Sequence, residues 1–378
     1  MKIAIAGVVT KQITEHPLGG TEAFTSILIE GLVKRGHEVT LYCAKDSRTK
    51  AQRQVEICNS EDAMGGESNL EFVYPYTLIE ADRIIKDIPK YNFDLIHVNI
   101  LKTFFFTYFA DQIKIPIIHT MHRDFFEREK IVKLYEEIGF KNNEHFVFVS
   151  NSAFSHSLVK KNTFHVFNGI NVSKYPFSSH PTGDFLLWLS RIDPLKGPVE
   201  AIGSALGSNK KLILSGDIDR EKYQKYFDDE LKEKISTNSS LISYEKPVSL
   251  ERNLELFQNA KAFIFPIRWE EPCPLTVLES LASGTPLVTY ARGSLVESMA
   301  DGVTGFLVNP SDQDIRGNFI VKKTGLDGLI EGVKRIYSLT NEQYMKMRAA
   351  CRQRIEQNFT NDIMVDKYVD IYKEILNK

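Results

Sequence analysis

Cysteine is scarce in the 378-residue chain. The four present, Cys43, Cys58, Cys273 and Cys351, lie far apart and show neither C-x-x-C nor Cys/His ligand spacing. That spacing suggests neither a disulfide framework nor a zinc site, and a reducing cytoplasm fits it best. A surplus of one charge is also missing, because 47 Lys plus Arg face 49 Asp plus Glu for a formal net charge of -2. Without such a surplus there is no general attraction for nucleic acid, so no nucleic-acid partner is expected. No apolar run is long enough to span a bilayer, and the N-terminal MKIAIAGVVTKQ carries too short a run for a signal peptide. The nearest candidate, FFFTYFA at 104–110, reads as the apolar face of a core helix. Peripheral contact with a membrane stays open. A G-x-G-x-x-G string is absent as well, which disfavours a dinucleotide site.

What remains is a globular composition, 43% apolar and 25% charged, in a chain long enough for two domains. The opening reads as a βαβ unit. KIAIAGV is a strand, a helix runs from about Ala23 with Phe24, Ile27, Leu28 and Leu32 at helical spacing, and HEVTLYC follows Gly36 as the next strand. Further strands are expected at NLEFVYPY, FDLIHVNI, IPIIHT and HFVFVS, separated by helix-length segments as a parallel sheet requires. NVSKYPFSSHPTGD, rich in Ser, Pro and Gly, marks a linker near 171–184. FLLWLS, KLILSG, LISYE, AFIFP and PLVTY then give five more strands in the same rhythm. The expected fold class is α/β, with two Rossmann-like, doubly wound domains over 1–170 and 184–360. They face each other across a cleft lined by the carboxyl ends of both sheets, where such sheets bind ligands. From Asn361 onward, Ile363, Met364, Tyr368, Ile371, Tyr372, Ile375 and Leu376 recur at helical spacing. The amphipathic helix 361–378 that they define is expected to pack back onto the first domain.

Three stretches carry chemistry. In FIFPIRWEEPCPLTVLESLASGTPLVTY a strand ends at Pro266, a polar loop holds Trp269, Glu270 and Glu271, and a helix begins near Pro274, where proline suits the first turn. Seven residues separate Glu271 from Glu279, a span of about 12 Å at helical rise and comparable to the reach of a diphosphate with a sugar on either side. Free amides at the helix start, around Leu275 and Thr276, would face the phosphates between them. In LLWLSRIDPLKGPVEAI, Arg191 and Lys196 stand five residues apart after a strand. Such a cation pair offsets charge growing on a diphosphate leaving group. In LGGTEAF, the pair Gly19 and Gly20 lets a bare backbone approach a phosphate or sugar. Taken alone, each has a plain structural alternative: a first-turn charge, a surface cation, a tight turn.

Their order along the chain is what resembles the retaining glycosyltransferases of family 4, which have the GT-B fold. The likeness runs through GGTEA, IIHTMH at 117–122, FNGINV at 167–172, LSRIDPLKG at 189–197, LSGD at 214–217, EPCPLTVLES at 271–280, SGTPLV and VTGFLV at 303–308. The resemblance implies that Glu271 contacts hydroxyls of the donor sugar and Glu279 holds the ribose. It implies that Arg191 and Lys196 bind the diphosphate with the Leu275 and Thr276 backbone, and that Gly19 and Gly20 approach phosphate or sugar. The base is expected near Ser243 and Tyr244. His122 matches the histidine near donor sugar and acceptor, whereas His119, inside the apolar run IPIIH, reads as a core histidine. One departure stands out. Where the family commonly has Gly-Phe-Gly after the first Glu, this chain has Pro272, Cys273 and Pro274, which stiffens the backbone and removes an N–H at each proline.

The resemblance implies transfer with retention from a UDP- or GDP-linked sugar to a carbohydrate, lipid-linked or other hydroxyl acceptor. No carboxylate nucleophile can be nominated for a double displacement. Front-face substitution assisted by Arg191 and Lys196 is therefore the expectation. No cofactor and no essential metal are expected; the D-x-D string Asp217 to Asp219 reads as a capping loop after a strand. Two other classes are set beside this reading, a sugar-nucleotide epimerase of the same architecture and a non-catalytic two-domain sugar-binding protein. The acceptor loops 44–70 and 123–143 carry no recognisable code.

Overall fold

A computed structural model describes residues 1–14, 19–64, 73–100, 103–122, 129–155, 159–246 and 249–377. By its internal contacts the chain divides into unit 1, Met1–Gly169 with Asn361–Lys378, and unit 2, Ile170–Thr360. Each is built on one all-parallel sheet.

Unit 1 carries β1 (Lys2–Ala6), β2 (Glu38–Cys43), β3 (Arg53–Glu56), β4 (Leu95–Val98), β5 (Ile117–Met121), β6 (Glu144–Phe148) and β7 (Thr163–His165). Their order across the sheet is β3-β2-β1-β4-β5-β6-β7. Unit 2 carries β8 (Phe185–Leu189), β9 (Lys211–Ser215), β10 (Ile242–Glu245), β11 (Ala262–Ile264), β12 (Leu287–Tyr290) and β13 (Gly305–Val308), ordered β10-β9-β8-β11-β12-β13. Both sheets reverse direction of growth once, between β1 and β4 and between β8 and β11. Loops at the carboxyl ends of those pairs diverge and leave room for a ligand.

The central strands are apolar without alternation because helices cover both faces of a parallel sheet. Ile3, Ala4, Ile5 and Ala6 are all fully buried. Edge strands are different. β3 reads RQVE with no residue fully buried, a charged, half-exposed edge that resists pairing with another chain. The stretch expected as a strand at 69–76 is corrected in its described part. Val73–Tyr91 is a helix, with Val73, Thr77, Ala81 and Ile84 turned inward at helical spacing, so the 3.6 period prevails over the β-branched and aromatic composition. Residues 69–72 lie outside the described residues. FFFTYF does form a helix, Phe104–Phe109, and within 123–143 the helix Glu129–Ile138 is present.

The helix Asn361–Leu376 lies in the core cluster of unit 1, where Met364, Val365, Tyr368, Val369, Tyr372 and Ile375 meet Phe24, Leu28 and Leu32 of the helix Gly20–Lys34. Each such side chain contributes roughly 1.5–3 kcal/mol on full burial. The exposed ion pairs of Arg35 with Asp362 and Asp366 on the rim add little by comparison. Leu376 of the expected apolar face stays 37% exposed. Residues 171–184 are fastened to unit 2, where Arg348 donates to the Ser178 carbonyl at 2.6 Å and Arg352 to the Tyr175 carbonyl at 2.8 Å. Among the described residues no helix is long and apolar enough to cross a membrane.

Candidate functional site

The loop after β8 is set by Asp193. Its carboxylate caps the turn Pro194–Lys196 by accepting from the Leu195 amide at 2.9 Å, and it pairs with Arg191 at 3.1 Å. These hydrogen bonds and the Arg191 charge hold its carboxyl below the usual range, against the effect of burial. Gly197 closes the turn at φ +69, and a Cβ there would stand 2.1 Å from the Pro266 carbonyl oxygen. Glycine is required for both reasons. The Arg268 amide donates to the Leu195 carbonyl at 2.8 Å, so the loops after β8 and β11 are stitched together.

That stitching brings Lys196 Nζ onto the Glu271 carboxylate as a close ion pair, with side-chain exposures of 16% and 11%. The ammonium also sits 5.4 Å from the Trp269 ring centroid and 5.6 Å from that of Phe265, a setting that favours a cation. Glu271 is held from behind. Its carbonyl accepts from the Ser294 amide at 2.9 Å, and Gly293, at φ +54, packs so tightly on it that a Cβ would lie 2.3 Å from that oxygen. The neighbouring Glu270 faces another way, accepting from the Gly293 amide at 2.6 Å and pairing with Arg292 at 3.0 Å and Arg316 at 2.9 Å. Of two adjacent glutamates, one anchors the loop and the other is presented beside a cation.

The helix Leu275–Ala282 begins directly after Pro274, which occupies the N-cap with φ -75 and no side-chain cap. The amides of Leu275 and Thr276 therefore have no acceptor within the helix, at the end where the peptide dipoles leave partial positive charge. Glu279 lies one turn further on. Glu271 is outside the helix, so helical rise accounts for only about 6 Å of the Glu271–Glu279 interval. The 12 Å expected from an all-helical spacing is thus corrected. Half-buried Glu279 accepts from the Tyr175 hydroxyl at 2.9 Å. Burial pushes its carboxyl above the usual range and the tyrosine bond partly offsets this.

Ser243 and Tyr244 lie on the edge strand β10. Tyr244 spends its hydroxyl on the Gly216 carbonyl at 2.8 Å and packs its ring 5.1 Å from Phe227. Ser243 Oγ is 3.5 Å from the Leu212 carbonyl. Among the described residues neither bonds to Arg191, Lys196, Glu271 or Glu279. Asp219 caps the helix Arg220–Tyr226 through the Lys222 amide at 3.3 Å.

In unit 1, Gly19 is the N-cap of the helix Gly20–Lys34, and a Cβ there would meet Glu22 Oε2 at 2.0 Å. Leu18, which precedes the pair, lies outside the described residues. His122 follows β5 directly. Its Nε2 is hydrogen-bonded to Asn99 Oδ1, and its ring meets Phe24 edge-on at 4.7 Å. Burial lowers its pKa to about 3, so the imidazole is neutral at ordinary pH. His119 is fully buried, bonded to Glu144 at 3.0 Å and stacked on Phe146 at 4.8 Å, a core position. Sequence reasoning missed Tyr175, Asn99 and the Glu270–Arg292–Arg316 cluster, whose partners are far apart in the chain.

The chain matches the family described as Glycosyltransferase Family 4 over residues 18–174 and that described as Glycosyl transferases group 1 over 175–316. It is 21% identical over 351 residues to spore coat protein SA of Bacillus subtilis, covering 82% of this chain and 86% of that protein. Sucrose-phosphate synthase from Thermosynechococcus elongatus is similar in fold, with TM-score 0.76 at 18% identity over 100% of this chain and 99% of that one. Anabaena Alr3699/HepE, solved in complex with UDP and glucose, gives TM-score 0.71 at 16% identity over 99% and 100% of the two chains. Likeness at this level of identity shows the fold, which is GT-B. Together the two family matches run from residue 18 to residue 316, and the chain belongs to the group 1 glycosyltransferases of family 4.

Proposed function

We propose that the chain is a cytoplasmic, retaining transferase of glycan biosynthesis that moves a sugar from a nucleoside-diphosphate sugar to a hydroxyl acceptor and needs no essential metal. The observation that carries this reading is the Lys196–Glu271 ion pair beside the open N-terminus of the Leu275–Ala282 helix. A cation suited to a diphosphate and a carboxylate suited to sugar hydroxyls hold one another, and a donor supplies a replacement for each. Phosphate oxygens take Lys196, Arg191 and the amides of Leu275 and Thr276. Sugar hydroxyls take Glu271, and ribose hydroxyls take Glu279.

Transfer then proceeds on one face of the sugar. The bond from the anomeric carbon to the leaving phosphate oxygen breaks, and the bond to the acceptor oxygen forms on the same side. The acceptor proton passes to the leaving phosphate, whose charge Arg191, Lys196 and the helix N-terminus offset. The HepE complex with UDP and glucose supports UDP as the first nucleotide to try, ahead of GDP. The acceptor is a carbohydrate, lipid-linked or other hydroxyl compound.

Calorimetric and thermal-shift titrations with UDP, GDP and ADP test the donor side, since a ligand of the native state raises apparent stability. Binding of one nucleotide, weakened in Glu279→Ala and Arg191→Ala, is expected. Lys196→Ala is expected to lower turnover about 10²–10³-fold with little change in melting temperature. Turnover that survives EDTA agrees with the metal-free reading. Failure of all three nucleotides to bind overturns the assignment.

A further inference from the structure

The buried polar chain around His122 has only one consistent arrangement of protons. Thr25 Oγ1 donates to the Thr21 carbonyl at 2.7 Å, one turn back in the helix Gly20–Lys34. A carbonyl only accepts, so the Thr25 proton is committed and its oxygen is left as an acceptor. Asn99 Nδ2 donates to that oxygen. Asn99 itself is pinned just past β4 by its amide, which donates to the Ala6 carbonyl at 2.9 Å. With its nitrogen spent on Thr25, the Asn99 carboxamide turns its oxygen toward His122 Nε2. That oxygen can only accept, so Nε2 must carry the proton.

His97, one strand over, shows what an unconstrained histidine looks like. Its Nδ1 meets the Tyr372 hydroxyl and its Nε2 meets Thr120 Oγ1 at 2.8 Å. Both partners are hydroxyls that can donate or accept, so either tautomer is satisfied. His122 is different because its chain of bonds ends on a carbonyl.

We infer that Asn99, fixed by Thr25 and the Thr21 carbonyl, is a positioning residue that locks His122 in the Nε2-protonated tautomer and leaves Nδ1 as a bare lone pair. Nδ1 has no hydrogen-bond partner among the described residues, and His122 is half-buried. The bare nitrogen accepts a hydrogen bond from a hydroxyl and repels an anion. For the histidine that the family resemblance sets near donor sugar and acceptor, a bare Nδ1 can accept from a hydroxyl and cannot hold phosphate. This last step rests on the transferase reading above; the tautomer does not.

The test is long-range ¹H–¹⁵N correlation of the full-length protein labelled at histidine, with the His122 signals assigned by their loss in His122→Gln. The wild type is expected to show Nε2 protonated and Nδ1 bare. Thr25→Val and Asn99→Ala are expected to replace that signature by one averaged between tautomers, and Thr25→Ser to restore it. A wild-type Nδ1–H signature overturns the inference, as does an unchanged tautomer in both folded variants. UDP, UDP-glucose and UDP-glucose with acceptor are then added in turn. A shift of Nδ1 first seen with UDP-glucose assigns the sugar hydroxyl, and one first seen with acceptor assigns the acceptor hydroxyl. A shift with UDP alone, or none while calorimetry records donor binding, overturns the hydroxyl role. Absence of donor binding overturns the transferase reading and leaves the tautomer result standing.

Discussion

Units 1 and 2 share one strand order, 3-2-1-4-5-6 in each numbered from its own first strand, with a seventh strand added in unit 1. Around β4 and β5, besides the buried His119–Glu144 pair, unit 1 uses two neutral hydrogen-bonded sets, Thr25–Asn99–His122 and Tyr372–His97–Thr120–Tyr368. After β8 and β11, unit 2 uses charges: Lys196 with Glu271, Arg191 with Asp193, and Glu270 with Arg292 and Arg316. Neutral polar groups can be fully buried once their bonds are paired, whereas an ion leaves water at a heavy cost unless its bonds are met throughout, as those of buried Glu144 and Arg348 are. The scaffold is common to both, and the chemistry is grafted onto the loops. A neutral set suits hydroxyls, and a charged set suits a diphosphate.

The largest expected effect comes from Arg348, a fully buried cation of unit 2. Among the described residues Arg348 has no carboxylate partner. Its guanidinium donates to the carbonyls of Ser178, Gln258, Ala260 and Ser283 and to the hydroxyls of Thr285 and Tyr344. Arg348→Met would leave buried carbonyls unpaired and is expected to cost about 3–5 kcal/mol or more. Arg348→Lys should recover little, because an ammonium cannot reproduce the planar fork. Both tryptophans, Trp188 and Trp269, belong to unit 2, so denaturation followed by tryptophan fluorescence reads this unit alone. A midpoint within experimental error of the wild type would show that the carbonyls are satisfied without the arginine.

Acid should act in the opposite place. Burial lowers the His97 pKa to about 3, with small contributions from His122 and His119, against an ordinary value near 6.5. Between those values the unfolded chain binds a proton that the folded chain refuses. The His97 contribution is thus present above pH 6.5 and lost as pH falls from about 6.5 toward about 3. The upper limit is about 4–5 kcal/mol, at about 1.4 kcal/mol per unit. Circular dichroism of denaturant unfolding across that range should show a steeper acid loss in wild type than in His97→Gln. Equal slopes would mean that His97 is protonated in the folded protein. Because fluorescence follows unit 2 only, a loss seen by circular dichroism before fluorescence would assign it to unit 1.

The parts legible in the sequence are those written in contiguous residues. FLLWL and IIHTM read as buried strands because both faces of a parallel sheet are covered. The Arg191, Lys196 and Glu271 loops could be named because each lies next to a strand end. β3 and β7 gave no such signal, since edge strands need not be apolar; β13, the apolar and fully buried GFLV, is too short to stand out as a strand by itself. Val73–Tyr91 was misleading because β-branched and aromatic residues open a helix there. Partners joined only by folding were invisible: Asn99 lies 23 residues from His122, Tyr175 lies 104 from Glu279, and Ser178 lies 170 from Arg348. Nothing in a local window says that Tyr175 will cover a glutamate on another element.

Tyr175 gives the smallest effect and the finest test of how the charged site is tuned. Arg352 holds its carbonyl at 2.8 Å while its hydroxyl donates to Glu279 Oε1 at 2.9 Å. The bond keeps the half-buried carboxylate oriented and favours its ionised form, against the upward push of burial. Tyr175→Phe keeps the ring and removes only that donor. Nucleotide affinity should fall about three- to tenfold, the equivalent of one hydrogen bond of roughly 1 kcal/mol. The loss should deepen as pH drops, because Glu279 in the variant takes up a proton at a higher pH and then no longer accepts two ribose hydroxyls. Calorimetric titration at two pH values separates the causes. A pH-independent loss would mean that Tyr175 only orients Glu279. Unchanged affinity at both values would mean that Glu279 does not hold the ribose, and the base and phosphates would then carry nucleotide binding alone.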